Sequence, residues 1–162
     1  MEESRLARQA YDFYPDIIRL AYHHYANTSA SEIIVVALEA AGEQGKFWEM
    51  HDRLIGDDYL DIARLLEAAE KGGMNPDEFA FDYLFTEAEN LNLDMDKITE
   101  AFKSERFFEK VRLAKQEAIQ AGINYVSLFI NGVEYTKYPS TFEDFRQIID
   151  KELARPGTNK ND

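Results

Sequence analysis

The chain contains no cysteine among its 162 residues. Structural disulfides and cysteine-ligated zinc sites are therefore excluded. Thiol–disulfide exchange is excluded as well, since that reaction needs a thiolate as its attacking group. A chain without cysteine is compatible with a reducing compartment, and we expect a cytoplasmic protein.

Long apolar runs and basic residues are also scarce. No stretch approaches the ~20 consecutive apolar residues of a membrane-spanning helix, and the first residues, MEESRLARQAYDFYPD, lack the apolar core of a signal peptide. The 18 basic residues face 31 acidic ones, which gives a net charge of −13. Nucleic acids and anionic membrane surfaces would be repelled on average, so we predict neither as a partner.

Hydrophobic residues make up 45% of the chain, which is typical of a globular protein. A chain of this length can bury a core without disulfides or metals. No interdomain linker is visible. We therefore predict one domain over residues 1–154 and a polar, disordered tail over residues 155–162.

Apolar spacing and capping signals predict a series of helices. Ser31, Asn75 before Pro76, Asp94 or Asp96, and Ser104 are candidate N-caps, and Ser140-Thr-Phe-Glu143 has the form of a capping box. The predicted helices cover residues 3–13, 32–43, 46–55, 60–71, 76–90, 96–103, 105–121 and 141–153.

Two regions have the composition of strands. Residues 17–25 alternate, with Ile18, Leu20 and Tyr22 on one face. Residues 125–130 and 133–135 flank Asn131-Gly132, a typical type I′ hairpin turn. A strand, a block of helices, a hairpin and a last helix together favour an α/β fold with a helical insertion.

Two segments are similar to a known family. The segment GKFWEMH (residues 45–51) and the segment GINYVSLFING (residues 122–132) resemble the DsbA-like thioredoxin-fold proteins. The resemblance implies a thioredoxin-like, DsbA-type fold with a large helical insertion at about residues 30–121. The family's first strand and the start of its first helix are missing here.

Two departures from that family concern its chemistry. The Cys-x-x-Cys pair is absent, and Ser127 stands where the resembled family has its cis-proline. A non-proline cis bond costs about 3–4 kcal/mol, so the Val126–Ser127 bond is predicted to be trans. The resemblance leaves Val126 and Ser127 as the remnant of a substrate groove.

Two functional hypotheses follow from the resemblance. The first is a redox-inactive DsbA-like protein that acts as a binding or scaffold module. The second is a truncated or mis-started oxidoreductase whose Cys-x-x-Cys lies upstream. Glutathione-using isomerases and transferases of this fold form a third class, but their active residue sits at the helix start that is missing. We expect no thiol–disulfide exchange, no catalytic residue and no cofactor.

A protein or peptide partner is predicted, and the partner could be a second copy of the chain. Without a first strand, residues 17–25 and 125–130 would carry unpaired edges, and buried unpaired amides cost about 1–3 kcal/mol each. The two strands could pair directly, a partner could donate a strand, or the chain could be a truncation. Residues 59–81, an insertion relative to the family, and an exposed patch of Phe79, Phe81 and Phe107 are candidate partner surfaces.

The polar residues indicate no metal site. His23 and His24 would face opposite sides of a strand, and we expect one strand-end histidine near the surface and His51 packed against the core. Ser127 would need an adjacent base to act as a nucleophile, and the sequence shows none. The acidic residues Glu49, Asp52, Asp57, Asp58 and Asp61 have no calcium-loop spacing and are interpreted as a solvated face.

Overall fold

The computed structural model describes residues 2–55, 62–125, 127–137 and 139–155. The chain divides into two compact units, unit 1 with Met1–Tyr22 and Tyr125–Asp162, and unit 2 with His23–Asn124. The elements are α1 (Glu2–Phe13), α2 (Ser29–Gly42), α3 (Phe47–Ile55), α4 (Ile62–Lys71), α5 (Pro76–Asn90), α6 (Met95–Lys103), α7 (Glu105–Gln120), β1 (Leu128–Ile130), β2 (Val133–Tyr135) and α8 (Phe142–Leu153).

Helix α2 is the centre of unit 2. Its sequence, SASEIIVVALEAAG, is apolar on nearly every side, as expected for a helix that is covered all round. Helices α3, α5, α6 and α7 all pack against it. The core includes Val36, Leu38, Met50, Leu54, Leu84, Ile98, Phe107 and Val111.

Side-chain caps begin the helices of unit 2. The predicted caps Asn75, Asp94 and Ser104 are confirmed, since each accepts a hydrogen bond from the first turn of its helix. The cap of α2 lies earlier than predicted. Thr28 is the N-cap, and Ser31 is the third helical residue of a capping box, with its Oγ accepting from the Thr28 amide at 2.9 Å.

Unit 1 packs α1, the hairpin and α8 around a small core of Leu6, Ala7, Ala10, Tyr14, Phe145 and Ile149. The hairpin pairs Leu128 with Tyr135 and Ile130 with Val133 in antiparallel register. Leu128 and Ile130 pack against the core, whereas Phe129 between them is exposed. The type I′ turn is confirmed, because both of its central residues have positive φ, 52° at Asn131 and 78° at Gly132.

The predicted thioredoxin-like, DsbA-type α/β fold is wrong. The described residues contain eight helices and one sheet, and that sheet has only the strands β1 and β2. The predicted strand at residues 17–25 is irregular backbone. It follows a turn at Pro15 and Asp16, and the φ of Asp16 is 67°. Ile18 and Leu20 alternate because one side of this segment packs on the core of unit 1, and not because it pairs with a strand.

Other predictions concern the domain bounds, the tail, the acidic cluster and the insertion. The single domain over residues 1–154 stays a prediction. Residues 156–162 of the predicted tail and residues 56–61, with Asp57, Asp58 and Asp61 of the acidic cluster, lie outside the described residues. Glu49 and Asp52 of that cluster are exposed, and helices α4 and α5 of the predicted insertion pack against each other.

Candidate functional site

A cluster of polar side chains lies on one side of α2 in unit 2. Oε1 of Glu39 lies 2.7 Å from Nε2 of His24. Oε2 of the same carboxylate accepts a hydrogen bond from Nζ of Lys110 at 2.5 Å. His24 is 7% exposed and the Glu39 side chain 14% exposed. One carboxylate, shielded from most of the solvent, therefore binds two basic groups from distant parts of the chain, and we call these three residues the histidine cluster.

The elements of unit 2 bring these residues together. His24 lies in the irregular segment before α2, Glu39 lies within α2, and Lys110 lies within α7. Glu43, the C-cap of α2, lies one turn beyond Glu39 and binds the guanidinium of Arg106 through two hydrogen bonds of 2.7 and 2.9 Å. Glu39 pairs with Lys110, whereas the later residue Glu43 pairs with the earlier residue Arg106. The helices α2 and α7 therefore run antiparallel to each other.

Burial dominates the electrostatics of His24. Burial lowers the pKa of His24 below its ordinary value of 6.5, the hydrogen bond to Glu39 opposes that change, and the charge of Lys110 adds to it. His24 is therefore neutral at pH 7. A neutral imidazole can bond to a carboxylate only through its N–H, so the Nε2–H tautomer is assigned by this contact.

Glu39 stays ionised although it is largely buried. Burial alone would raise its pKa, but the hydrogen bonds from Lys110 and His24 outweigh burial and lower the pKa below its ordinary value of 4.5. The ammonium of Lys110 compensates the carboxylate charge, which is the condition for keeping such a charge away from water.

Aromatic side chains extend the histidine cluster toward α3. The ring of Phe47 lies 6.1 Å from that of His24 and stacks on that of His51 at 6.2 Å. Trp48 meets His51 edge-on at 5.2 Å. His51 is 2% exposed and its Nδ1 lies 3.1 Å from Oδ1 of Asp52. The prediction that His51 packs against the core is confirmed. Of the two adjacent histidines, His23 is exposed, as expected for one strand-end histidine, whereas His24 is buried.

The histidine cluster joins elements and shows no reaction centre. A histidine held by a carboxylate is the base and orienting group of a hydrolytic triad, but 7% exposure leaves little of the His24 ring for a substrate. Within the described ranges, no group of three or more His, Cys, Asp or Glu side chains could hold a metal ion. The arrangement tethers the segment before α2, and helix α7, to α2.

A small groove lies beside the second ion bridge, between α2, α6 and α7. Its volume is about 200 Å³, and its charged lining residues are Glu43, Lys97, Glu100 and Arg106. Pockets that enclose small molecules usually measure about 300–1,000 Å³. The charges are balanced and the volume is below that range, so the groove identifies no ligand class.

In unit 1, Ser127 has an acidic neighbour that the sequence did not reveal. Its Oγ donates a hydrogen bond of 3.0 Å to Oε1 of Glu134, and the Tyr125 hydroxyl donates to the same oxygen at 2.8 Å. The antiparallel return of the hairpin brings Glu134 alongside. Val126 lies outside the described residues, and the assignment of Val126 and Ser127 to a substrate groove stays a prediction.

The three phenylalanines predicted as a partner surface have different environments. Phe107 is 3% exposed and belongs to the core of unit 2, so its expected exposure is wrong. Phe79 is half-buried and stacks on Tyr83 at 6.4 Å. Phe81 is also half-buried and meets Phe102 edge-on at 5.0 Å. A partner surface at Phe79 and Phe81 stays a prediction.

Glu39 and Lys110 were missed as site residues, although the sequence carries a signal for the first. Glu39 is the one charged residue in the run from Ile33 to Ala41. A single acid inside a buried helix needs a cation or a donor close by. The sequence does not say which of 18 basic residues supplies it, because Lys110 is 71 positions away.

Two curated proteins are similar to the chain. It is 32% identical over 122 residues to Na(+)/H(+) antiporter NhaA 1 of Salinispora arenicola, and this match covers 71% of the chain and 16% of that protein. It is 47% identical over 58 residues to Na(+)/H(+) antiporter NhaA 3 of Salinispora tropica, which covers 35% of the chain and 8% of that protein. The matched part is thus about a sixth of the first relative's length. No family model and no solved structure matches the chain.

These matches overturn the interpretation as a DsbA-like protein. The relatives carry the name of an antiporter and not of a thiol–disulfide oxidoreductase. The redox-inactive DsbA-like scaffold and the truncated oxidoreductase are therefore both contradicted. Short segments such as GKFWEMH specify a local helix, and they are too short to establish descent.

The expected cytoplasmic location is contradicted by the same matches, because an antiporter exchanges ions across a membrane. Among the helices that the structure describes, none has both the length and the apolar character to cross a bilayer.

Proposed function

We propose that this chain is an accessory module that acts together with a Na⁺/H⁺ antiporter. The observation that carries the proposal is the 122-residue match, which covers 71% of this chain but 16% of the antiporter from Salinispora arenicola. The chain corresponds to one segment of such a protein, and most of the antiporter lies outside the match. The partner of the module is then the rest of an antiporter.

The geometry of unit 2 supports a role in binding to protein. Its helices surround α2, and the ion bridges from Glu39 and Glu43 attach α7 to α2. Such a body keeps its surface in a fixed shape. The net charge of −13 favours a partner surface rich in lysine and arginine, because complementary charge accelerates and orients association.

A segment exchange tests the proposal. The matched segment of the Salinispora arenicola antiporter is deleted, and in a second version it is replaced by this chain. Sodium-driven collapse of a pH gradient is measured in everted membrane vesicles at equal antiporter abundance. We expect the deletion to lower the exchange rate at least twofold and the replacement to restore it. Unchanged exchange after the deletion would contradict the proposal.

Two variants of the replacement chain test whether the restoration requires a folded unit 2. Leu38→Ala removes a side chain from the core of unit 2, where Leu38 is 1% exposed, and should abolish the restoration. Leu113→Ala alters a side chain of α7 that is 51% exposed, so the fold should persist and the restoration with it.

Self-association of the chain also stays a prediction. Light scattering of the purified chain at micromolar concentration should show a dimer or a larger species. A monomer under those conditions would contradict self-association and would leave the antiporter partner as the one to be tested by the segment exchange.

A further inference from the structure

His24 lies near the start of unit 2 and ties a short irregular stretch to α2. His23 is the first residue of the unit, and residues 23–27 have no helix or strand structure. Within the stretch, His23 is exposed and Tyr25 is half-buried. Ala26, by contrast, belongs to the core, and the Asn27 amide donates to Oγ of Ser31 at 3.0 Å. The far end of the stretch thus has its own anchors, and His24 holds the near end.

We infer that the His24–Glu39 contact is an acid-sensitive clamp, which releases residues 23–25 from α2 when the imidazole takes up a proton. The helices of unit 2 stay packed in the released form. The inference concerns this chain by itself and does not depend on the proposed link to antiporters.

The charges around His24 make protonation unfavourable in the closed form. His23 comes from its own stretch, Lys110 from α7 and the carboxylate of Glu39 from α2. Helix α3 presents Phe47, behind which lie His51 and its neighbour Asp52. A protonated His24 would have to share Glu39 with the ammonium of Lys110. Both cations would then depend on the Glu39 carboxylate, at a site that is largely shielded from water.

The sign of the pH dependence follows from this arrangement. Burial, with help from Lys110 and His23, lowers the pKa of His24 in the closed form below the value of 6.5 for a free histidine. As the pH falls through about 6.5, the released form takes up the proton first, and opening becomes more favourable. Above that pH both forms are neutral, and the clamp has its full strength.

The rest of unit 2 does not need His24 to stay folded. After release, Glu39 keeps its hydrogen bond to Lys110, and Arg106 still binds Glu43. The buried side chains of α2 are unaffected, since the helix has its own capping box at Thr28. The expected change is therefore local and reversible.

Nuclear magnetic resonance on the full chain tests the clamp between about pH 7.5 and pH 5. The side-chain signals of His24 give its titration midpoint, and the amide heteronuclear Overhauser effect reports the mobility of residues 23–25. We expect a midpoint below 6.5, together with a loss of the Overhauser effect in residues 23–25 but not in α2. A midpoint at or above 6.5, or residues 23–25 that stay rigid in acid, would overturn the inference.

Variants identify the group responsible. His24→Gln keeps a donor for Glu39 without a titrating group, so residues 23–25 should stay ordered across the whole range. His23→Gln removes an exposed neighbour whose charge contributes less than that of Lys110 to the lowered pKa of His24, so acid release should persist in this variant. Acid release that persists in His24→Gln would overturn the inference.

A third variant covers the case in which His24→Gln fails to fold, as judged by circular dichroism. Lys110→Met removes the competing cation from Glu39. The His24 midpoint should shift upward, and the release of residues 23–25 in acid should become weaker. An unchanged midpoint in Lys110→Met would contradict the shared-carboxylate mechanism.

Discussion

Among the described residues, the apolar core of unit 2 contains eighteen buried residues, whereas that of unit 1 contains six. Unit 2 is one continuous stretch of chain, and α2 at its centre touches four other helices. Unit 1 is assembled from the two ends of the sequence. The large core can stabilise unit 2 through apolar burial, but the small core leaves unit 1 more dependent on particular polar contacts.

Those contacts in unit 1 converge on helix α8. The Tyr14 hydroxyl donates to Oδ1 of Asp150 at 2.5 Å, which connects the end of α1 to α8. The Tyr135 hydroxyl donates to Oε1 of Glu152, and Oε2 of this carboxylate lies 3.0 Å from Arg155. Glu152 is 2% exposed, so its partners must replace the water that a carboxylate normally binds. The hydrogen bonds of Tyr14 and Tyr135 thus help to stabilise unit 1, whereas unit 2 is stabilised by additional apolar side chains.

The largest expected effect is the loss of a core side chain from unit 2. Leu38→Ala should lower the free energy of unfolding by about 2–5 kcal/mol, because it removes apolar contacts and leaves a cavity beside α2. Urea unfolding followed by the fluorescence of the single tryptophan, Trp48 in α3, measures the change. Leu113→Ala on the exposed side of α7 is the matched control and should stay within about 0.5 kcal/mol. Equal effects of the two variants would contradict the dominance of apolar burial in unit 2.

The next effect concerns the buried carboxylate of unit 1. Tyr135→Phe should lower the stability of unit 1 by about 1–3 kcal/mol, since it removes a donor from the buried Glu152 and adds no new contact. Thermal unfolding followed by near-ultraviolet circular dichroism gives the comparison. Tyr125→Phe removes an exposed hydroxyl, and a change within about 0.5 kcal/mol is expected. If Tyr135→Phe changed the stability as little as Tyr125→Phe, the hydrogen bond of Tyr135 would not be important for the stability of unit 1.

A smaller effect is expected at the start of α8. Thr141 is the N-cap, and its Oγ1 accepts from the Asp144 amide at 3.1 Å, so Thr141→Ala should cost about 1 kcal/mol. Ser140→Ala, one residue earlier, should be nearly neutral, although the sequence places the capping box at Ser140. Chemical denaturation of both variants decides between the two positions. A greater loss from Ser140→Ala would place the cap where the sequence predicted it.

The smallest effect is confined to alkaline solution. Burial and the hydrogen bond to Asp150 raise the pKa of Tyr14 from 10 to about 12. Between these values the unfolded chain loses the proton while the folded chain keeps it, so the stability of unit 1 falls as the pH rises above about 10. Urea midpoints measured at about pH 9 and pH 11 should therefore differ less in Tyr14→Phe than in the unmodified chain. An identical pH dependence would show that Tyr14 is not held in its protonated form, and Tyr125→Phe serves as the control.

Local structure was determined largely by the sequence itself. Apolar spacing located every described helix to within a few residues, and Asn75, Asp94 and Ser104 were identified as caps. Asn131-Gly132 specified its turn, because both residues tolerate the positive φ that the turn requires. These features depend on interactions between residues that are close in the chain, which is why a single sequence reveals them. At α2 and α8 two hydroxyl residues compete for the cap, and the predicted position differs from the observed one by one to three residues.

The tertiary structure alone decided the pairing of distant residues. The apolar residues Ile18 and Leu20 are spaced two apart, as on one face of a strand. Such spacing shows only that one side of the segment is buried, and here that side packs against the core of unit 1. Phe107 and Phe108 are adjacent in α7, and only the packing of α7 on its neighbours α2 and α6 makes Phe107 the more buried one. Buried His24 is bound by Glu39, 15 positions along the chain, and Lys110, a further 71 positions along, binds the same carboxylate. The periodicity of apolar side chains indicates which side of an element is buried. Which other element packs on that side depends on contacts between residues that are far apart in sequence.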